Sequence, residues 1–89
     1  MANGEIKIKF YSDPGHGWAA VKRDLINSLN IADKISYYSY QKGNTVYLEE
    51  DCDLSTLLTT LKDKGVTVTF DERHTNNRSP IRSYEQFKA

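Results

Sequence analysis

The fold depends on one glycine-bearing turn, Ser12-Asp13-Pro14-Gly15-His16-Gly17-Trp18, which follows the clearest strand pattern in the chain. Pro14 and the two glycines are typical of a tight turn. We expect this turn to end the first strand and to open the first helix, with Trp18 as a core anchor. Free backbone N–H groups at a helix start favour an anion, and His16 could donate a proton or a hydrogen bond to it. The stretch therefore predicts either a structural turn or a ligand-binding turn.

The residues on either side of the turn predict a strand and a helix. Residues 5–10 alternate strictly, which places Lys7, Lys9 and Tyr11 on one face of the strand and apolar residues on the other. After the turn, apolar residues recur at spacings of three and four, as in an amphipathic helix: Trp18, Val21, Leu25 and Leu29. Asn30 is a suitable left-handed stop for that helix.

The middle of the chain predicts a hairpin, a second helix and a further strand. Residues 35–40 suit a pleated surface and residues 45–49 alternate, so the two predict a hairpin with its turn at residues 42–44. Asp53 is a suitable N-cap for a second helix that ends before Gly65. Residues 66–70 alternate as the fourth strand.

The predicted order β-α-β-β-α-β indicates an α+β, ferredoxin-like fold. In that fold an antiparallel sheet carries both helices on one face and leaves the other face to solvent or a partner. The inward-facing residues would be Ile6, Ile8, Phe10, Val46, Leu48, Val66, Val68 and Phe70.

We expect a single domain over residues 1–89, with a disordered start at residues 1–4. Residues 71–79 have no apolar period and predict a loop. Apolar residues then return at a spacing of three, with a Ser83/Gln86 capping box among them: Ile81, Tyr84 and Phe87. Residues 75–89 are therefore predicted to be a short helical tail that docks on the body.

Composition narrows the classes of function. Lys plus Arg and Asp plus Glu both number 12, so the formal net charge is zero and no whole-molecule field attracts nucleic acid or a membrane. Cys52 is the only cysteine, which excludes an internal disulfide and is typical of a reducing cytoplasm. No segment has the apolar length of a membrane span or signal peptide. We expect a cytoplasmic protein without a cofactor.

An acidic segment, residues 49–53, gathers four carboxylates. It lacks the glycine turn of a calcium loop, so we expect no metal there. We interpret it as a strand end followed by an acidic helix N-terminus, which suits the helix dipole. The carboxylates around Cys52 should raise the pKa of its thiol and make it a poor nucleophile.

A basic segment, residues 73–82, concentrates arginines whose planar forks suit phosphate or carboxylate groups. In the ferredoxin-like order the end of the fourth strand lies beside residues 49–53, which predicts an internal salt-bridge network. If the tail instead crosses the body, Arg78 or Arg82 could reach His16 and form a composite anion pocket with Gly15 and Gly17.

The tyrosines offer a candidate partner surface. Tyr11, Tyr37 and Tyr47, together with His74, are the residues we assign to it. Aromatic residues on an open sheet face stack on bases in RNA-recognition modules, but the glycine-aromatic signature of those modules is missing. Tyrosine is also an adaptable contact residue at protein interfaces. A protein partner, or the tail folded across this face, is the alternative.

Several segments, in order, resemble a family of small uncharacterised proteins of bacteriophages, prophages and other mobile elements. They are residues 13–18, residues 31–40, residues 47–53 and residues 74–84. The likeness spans nearly the whole chain, from Tyr11 to Phe87. It implies a small phage-type accessory protein in the bacterial host cytoplasm that binds a host protein, as a host-takeover or anti-defence inhibitor does. It implies no site residue.

Three functions follow from these observations. The first is binding to a host protein, and the second is binding of a small anionic ligand such as a nucleotide. The third is RNA binding through the tyrosine-bearing face. We do not predict an enzyme, because the residues form no triad, no zinc spacing and no paired-carboxylate motif. An exposed edge strand would also allow a homodimer.

Overall fold

The computed structural model describes residues 4–89 and shows an α+β fold built on a six-stranded mixed sheet. The described chain has two α-helices, α1 (Arg23–Ser28) and α2 (Leu54–Asp63), and two 3₁₀ turns at Ala32–Lys34 and Pro80–Ser83. The strands are β1 (Gly4–Ser12), β2 (Gly17–Lys22), β3 (Tyr40–Lys42), β4 (Thr45–Glu49), β5 (Val66–His74) and β6 (Glu85–Gln86). Their order in the sheet is β5-β1-β2-β4-β3-β6.

The predicted α+β class is confirmed, whereas the ferredoxin-like arrangement is not, and the purely antiparallel sheet is wrong. β1 and β5 run parallel, from the pair Gly4 and Val66 to the pair Ser12 and His74. The other neighbouring strands are antiparallel. The ends of β1 and β5 therefore lie at the same edge of the sheet.

The first predicted helix begins later than expected, because residues 17–22 form β2. Ala19 and Val21 point into the core, and Trp18 on the other face of the strand is also buried. A strand covered on both faces loses the apolar–polar alternation by which strands are recognised. The apolar residues of β2 are followed directly by those of α1, and together they have the spacing of three and four that is typical of a helix. Asn30 does follow α1 in the left-handed region (φ 58°), as predicted.

The predicted strand at residues 35–40 is mostly wrong, since only its last residue joins β3. Asp53 explains the difference. Its carboxylate accepts hydrogen bonds from the backbone N–H and hydroxyl of Ser36 and from the hydroxyl of Ser39, which bends this segment into a turn. Asp53 still precedes α2, as predicted, but its side chain makes no capping hydrogen bond to that helix. The β3–β4 hairpin and the left-handed Gly65 (φ 76°) after α2 are confirmed.

The core lies between the helices and one face of the sheet. Its buried members include Ile26 of α1, Leu57 of α2 and Phe87 of the tail. Full burial of such a side chain stabilises the fold by about 1.5–3 kcal/mol. Among the predicted inward residues, Ile8, Val46 and Leu48 are buried, while Ile6, Phe10, Val66 and Val68 pack partly buried against them. Phe70 is 38% exposed, so its placement in the core is wrong.

The tail packs on the body over the second face of the sheet. Ser79 caps the 3₁₀ turn by accepting the Ile81 N–H, and Ile81 is buried. The chain then pairs with β3 as β6, so the predicted helix with a Ser83/Gln86 capping box is wrong. Phe87 ends this path in the core. The tail therefore covers the part of this face around Trp18 and Tyr47.

Two expectations concern the ends and the membrane. Of the predicted disordered start, residues 1–3 lie outside the described residues, whereas Gly4 begins β1. Within residues 4–89, neither helix has the length and apolar character needed to cross a membrane.

Candidate functional site

One edge of the sheet collects most of the candidate segments. β2 begins there at Gly17 and β4 ends there, with Trp18 opposite Glu49. Because β5 runs parallel to β1, its end brings the start of the tail to the same edge. This edge therefore brings together the turn at residues 12–18, the acidic segment and the basic segment. The predicted antiparallel sheet separates the turn from the basic segment.

Asp13 ties this edge together. It is 5% exposed, and its carboxylate accepts the Ser79 N–H and both the Nε (2.6 Å) and Nη2 (2.8 Å) hydrogens of Arg82. It also accepts the N–H groups of Gly15 and His16, at 3.0 Å each. The Arg82 guanidinium holds the pKa of Asp13 well below its usual range, against the opposing effect of burial. The turn and the tail are thus joined by a bidentate ion pair.

The tail does reach the turn, but through Asp13 rather than through His16. A Cβ on Gly15 would lie 2.8 Å from Arg82 Nη2, so a side chain at this position would displace the end of the Arg82 side chain. The Gly15 and His16 N–H groups that could have bound an anion already donate to Asp13. Arg78 is exposed and does not line the cavity beside His16.

The basic segment does not pair with residues 49–53. Two of its three arginines pair elsewhere in the described chain, Arg73 with Asp71 and Arg82 with Asp13. The predicted salt-bridge network therefore has the wrong acidic partners. The cause is again the direction of β5, which places Arg73 beside Tyr11 of β1.

A cavity of about 280 Å³, which we call the His16 cavity, opens at this edge. Its lining residues are His16, Trp18, Tyr38, Tyr40, Glu49, Asp51, Cys52 and Arg82. Glu49 is 7% exposed, and its Oε2 accepts the N–H groups of Asp51 and Cys52 at 2.8 Å. Its Oε1 lies 3.5 Å from His16 Nδ1. With Arg82 neutralised by Asp13, the cavity presents two carboxylates and an imidazole, which favour a cation over an anion.

The sequence did not single out Glu49 and Asp51 as neighbours of His16. They lie more than thirty positions away, and only the β2–β4 register brings them together. No local pattern carries that information. The predicted rise in the pKa of the Cys52 thiol is confirmed, with burial as its largest cause and the Glu49 carboxylate as the next.

Three of the predicted partner residues come together on the second face of the sheet. The rings of Tyr11 and Tyr47 are 6.3 Å apart, and Tyr84 of the tail packs 5.2 Å from Tyr47. His74 Nδ1 is hydrogen-bonded to Ser12 Oγ (2.9 Å) at the rim of the same hollow, which measures about 280 Å³. Burial raises the pKa of Tyr47. The Tyr47 hydroxyl therefore stays protonated at neutral pH.

Tyr37 lies apart from that group. It stacks on Tyr38 with ring centroids 4.7 Å apart, and 61% of it is exposed. It belongs to the turn before β3, since residues 37–39 do not form the predicted strand. A partner that contacts Tyr11 and Tyr47 therefore need not contact Tyr37.

The same sheet face carries exposed lysines. The pairing of Lys9 with Ala20 and of Lys22 with Thr45 places both on the side of Tyr47, and Lys42 Nζ lies 4.8 Å above the Tyr84 ring. We define the tyrosine–lysine face as Lys7, Lys9, Tyr11, Lys22, Lys42, Tyr47 and Tyr84. The chain is neutral overall, and this face carries four lysines; Asp71 of β5, opposite Lys9, also lies on it and pairs with Arg73.

Two regions of the protein are therefore candidates for the functional site, the tyrosine–lysine face and the His16 cavity. The first is aromatic and rich in lysine, whereas the second is acidic. Comparison of the chain with protein-family models, curated proteins and solved structures finds no match.

Proposed function

We propose that this chain is a small phage-type accessory protein that acts by binding an acidic host protein through the tyrosine–lysine face. The observation that carries the proposal is the combination of half-buried tyrosines with exposed lysines on one sheet face of a neutral chain. The resemblance to proteins of phages and mobile elements supplies the biological context. The host cytoplasm is then the compartment in which the partner is found.

The tyrosines suit a protein interface because they are already ordered. Tyr47 packs between Tyr11 and Tyr84, so little side-chain entropy remains to be lost on binding. Tyrosine offers a large contact area with few rotatable bonds and a hydroxyl for hydrogen bonding. This cluster would form the centre of the interface.

The lysines would give the interface its specificity and its association rate. Lys9, Lys22 and Lys42 are exposed around the tyrosines. Complementary charge at the rim steers encounter and rejects partners of like charge. The partner surface is therefore expected to carry Asp and Glu around an apolar centre.

The other two predicted functions have weaker support. An anion pocket at His16 needs a free arginine, and Arg82 donates to Asp13 through two nitrogens. RNA binding needs ring faces open to bases, whereas the rings of Tyr11, Tyr47 and Tyr84 pack against each other. A protein partner uses ring edges and hydroxyls as well as ring faces.

The proposal is tested with a pair of charge-reversal variants. Lys9→Glu/Lys22→Glu alters the face, and Lys62→Glu/Lys64→Glu makes the same change at the end of α2, where both lysines are also exposed. A partner captured from nuclease-treated bacterial lysate is purified, and its affinity is measured by calorimetry at two salt concentrations. The face variant should lose at least about tenfold in affinity, and binding should weaken with salt.

The α2 variant should bind as the wild type does. Equal binding by the face variant would contradict the proposal, provided that circular dichroism shows both variants folded. Loss of capture after nuclease treatment would instead favour RNA.

A further inference from the structure

We propose that His16, Glu49 and Asp51 form a binding site for a divalent transition-metal ion of the zinc class. The three residues come from the β1–β2 turn, the end of β4 and the turn that follows it. One ligand atom from each lies within 4.8 Å of the others. The site lies in the His16 cavity, and it does not rest on the proposed function of the tyrosine–lysine face.

The spacing of these atoms is close to that of a coordination shell. Nitrogen and oxygen ligands bind zinc at 2.0–2.2 Å, so two ligands of a tetrahedral ion lie about 3.4 Å apart. His16 Nδ1 and Glu49 Oε1 are already 3.5 Å apart. Asp51 is exposed, so its carboxylate can rotate towards the pair without disturbing the core. The donor set, one imidazole with two carboxylates, is suited to zinc and its first-row neighbours.

Glu49 is oriented before any ion arrives. Its Oε2 accepts two backbone N–H groups, from Asp51 and Cys52, which leaves Oε1 directed at His16. A carboxylate that is 93% buried is stabilised by a positive partner. A divalent ion between Glu49 and His16 would supply that charge. The hydrogen bonds to Oε2 would then act as the outer-shell contacts that fix a metal ligand.

Trp18 contributes a buried donor to the wall of the cavity. It is 2% exposed and lines the cavity, and its indole N–H has no hydrogen-bond partner among the described residues. Buried N–H groups without a partner are rare in folded proteins. Three protein ligands leave an open position on a zinc ion, which water fills.

The charges around the site favour a cation. Arg82 also lines the cavity and stacks 5.5 Å from the Trp18 ring, but its guanidinium donates to Asp13 through two nitrogens. The two carboxylates of Glu49 and Asp51 then outweigh the charge of Arg82. Cys52 lines the same cavity, so the test must separate an imidazole–carboxylate site from binding by its thiol.

The test uses zinc chloride and the full chain after treatment with a chelator. Calorimetry should show one ion bound per chain, and a zinc concentration about one hundred times Kd should raise Tm by roughly 10 °C. His16→Ala and Asp51→Asn should each weaken binding at least about tenfold. His74→Ala is the matched control, because the other histidine of the chain lies outside the cavity, and it should bind zinc as the wild type does.

Cobalt substitution reports on the ligands directly. The visible absorption of bound Co²⁺ should show four-coordinate geometry in the wild type and in Cys52→Ser, and it should disappear in His16→Ala. Undiminished zinc affinity in His16→Ala would overturn the proposal, as would binding that is lost in Cys52→Ser alone. Failure of the wild type to bind zinc or cobalt would overturn it as well, without affecting the test of the tyrosine–lysine face.

Discussion

The tyrosine–lysine face and the His16 cavity share one sheet but are built in different ways. The face consists of alternate residues of regular strands, so its side chains follow directly from strand geometry. The cavity consists of turn residues and a strand end, positioned by the buried carboxylates of Asp13 and Glu49. Substitution on the face should therefore change binding with little effect on folding. Substitution of a buried carboxylate should change both, because it leaves buried donors unpaired.

The largest effect is expected from Asp13→Ala. The Asp13 carboxylate accepts five hydrogen bonds, and this change removes all of them. It leaves Arg82 and the Ser79 N–H without their partner. Tm, measured by circular dichroism, should fall by at least about 10 °C. The tail should also become more accessible to protease, since Asp13 anchors it at Ser79 and Arg82.

Asp71→Asn is the control for that change, because Asp71 also pairs with an arginine, Arg73, but on the surface. Its Tm should stay close to that of the wild type. A similar fall in Tm in both variants would show that the buried ion pair stabilises the protein no more than the surface pair does. It would contradict the expected difference between the cavity and the face.

A smaller effect is expected from acidification. The pKa of Asp13 is lower in the folded protein than in the unfolded chain, so its carboxylate contributes stability above about pH 4 that is lost as the pH falls below that value. The Tm of the wild type should therefore drop more steeply between pH 4 and pH 2 than that of Asp13→Asn. Parallel curves for the two proteins would contradict the role of this carboxylate.

The smallest effect is expected from Tyr84→Ala on the face. The substitution removes a ring that packs 5.2 Å from Tyr47 and lies under Lys42. The free energy of unfolding, from urea titration, should fall by about 1–2 kcal/mol. Tyr37→Ala, at an exposed position away from the sheet, should change it by less than about 0.5 kcal/mol.

Tyr84→Ala also tests whether the tyrosine–lysine face and the His16 cavity are independent of each other. Zinc affinity should be unchanged, because Tyr84 does not line the His16 cavity. A parallel loss of zinc affinity would show that the tail couples the two regions.

Local sequence patterns correctly predicted the strands and helices that have one apolar face and one polar face. β1 alternates because one face packs on the core and the other carries lysines, and α2 has its apolar stripe on one side. β2 escaped prediction because Trp18, on the face opposite the core, is also buried, under Arg82 of the tail. The segment at residues 35–39 escaped prediction because Asp53, more than a dozen positions away, bends it through Ser36 and Ser39.

The sequence by itself determined the α+β class, the hairpin, the second helix and the glycine-bearing turn that carries His16. These depend on propensity, periodicity and turn chemistry, which act over a few residues. Only the tertiary structure decided that β5 runs parallel to β1, that Arg82 pairs with Asp13 and that His16 faces Glu49. Strand direction and register are set by the burial of the whole core, and no local stretch encodes the contacts that follow from them.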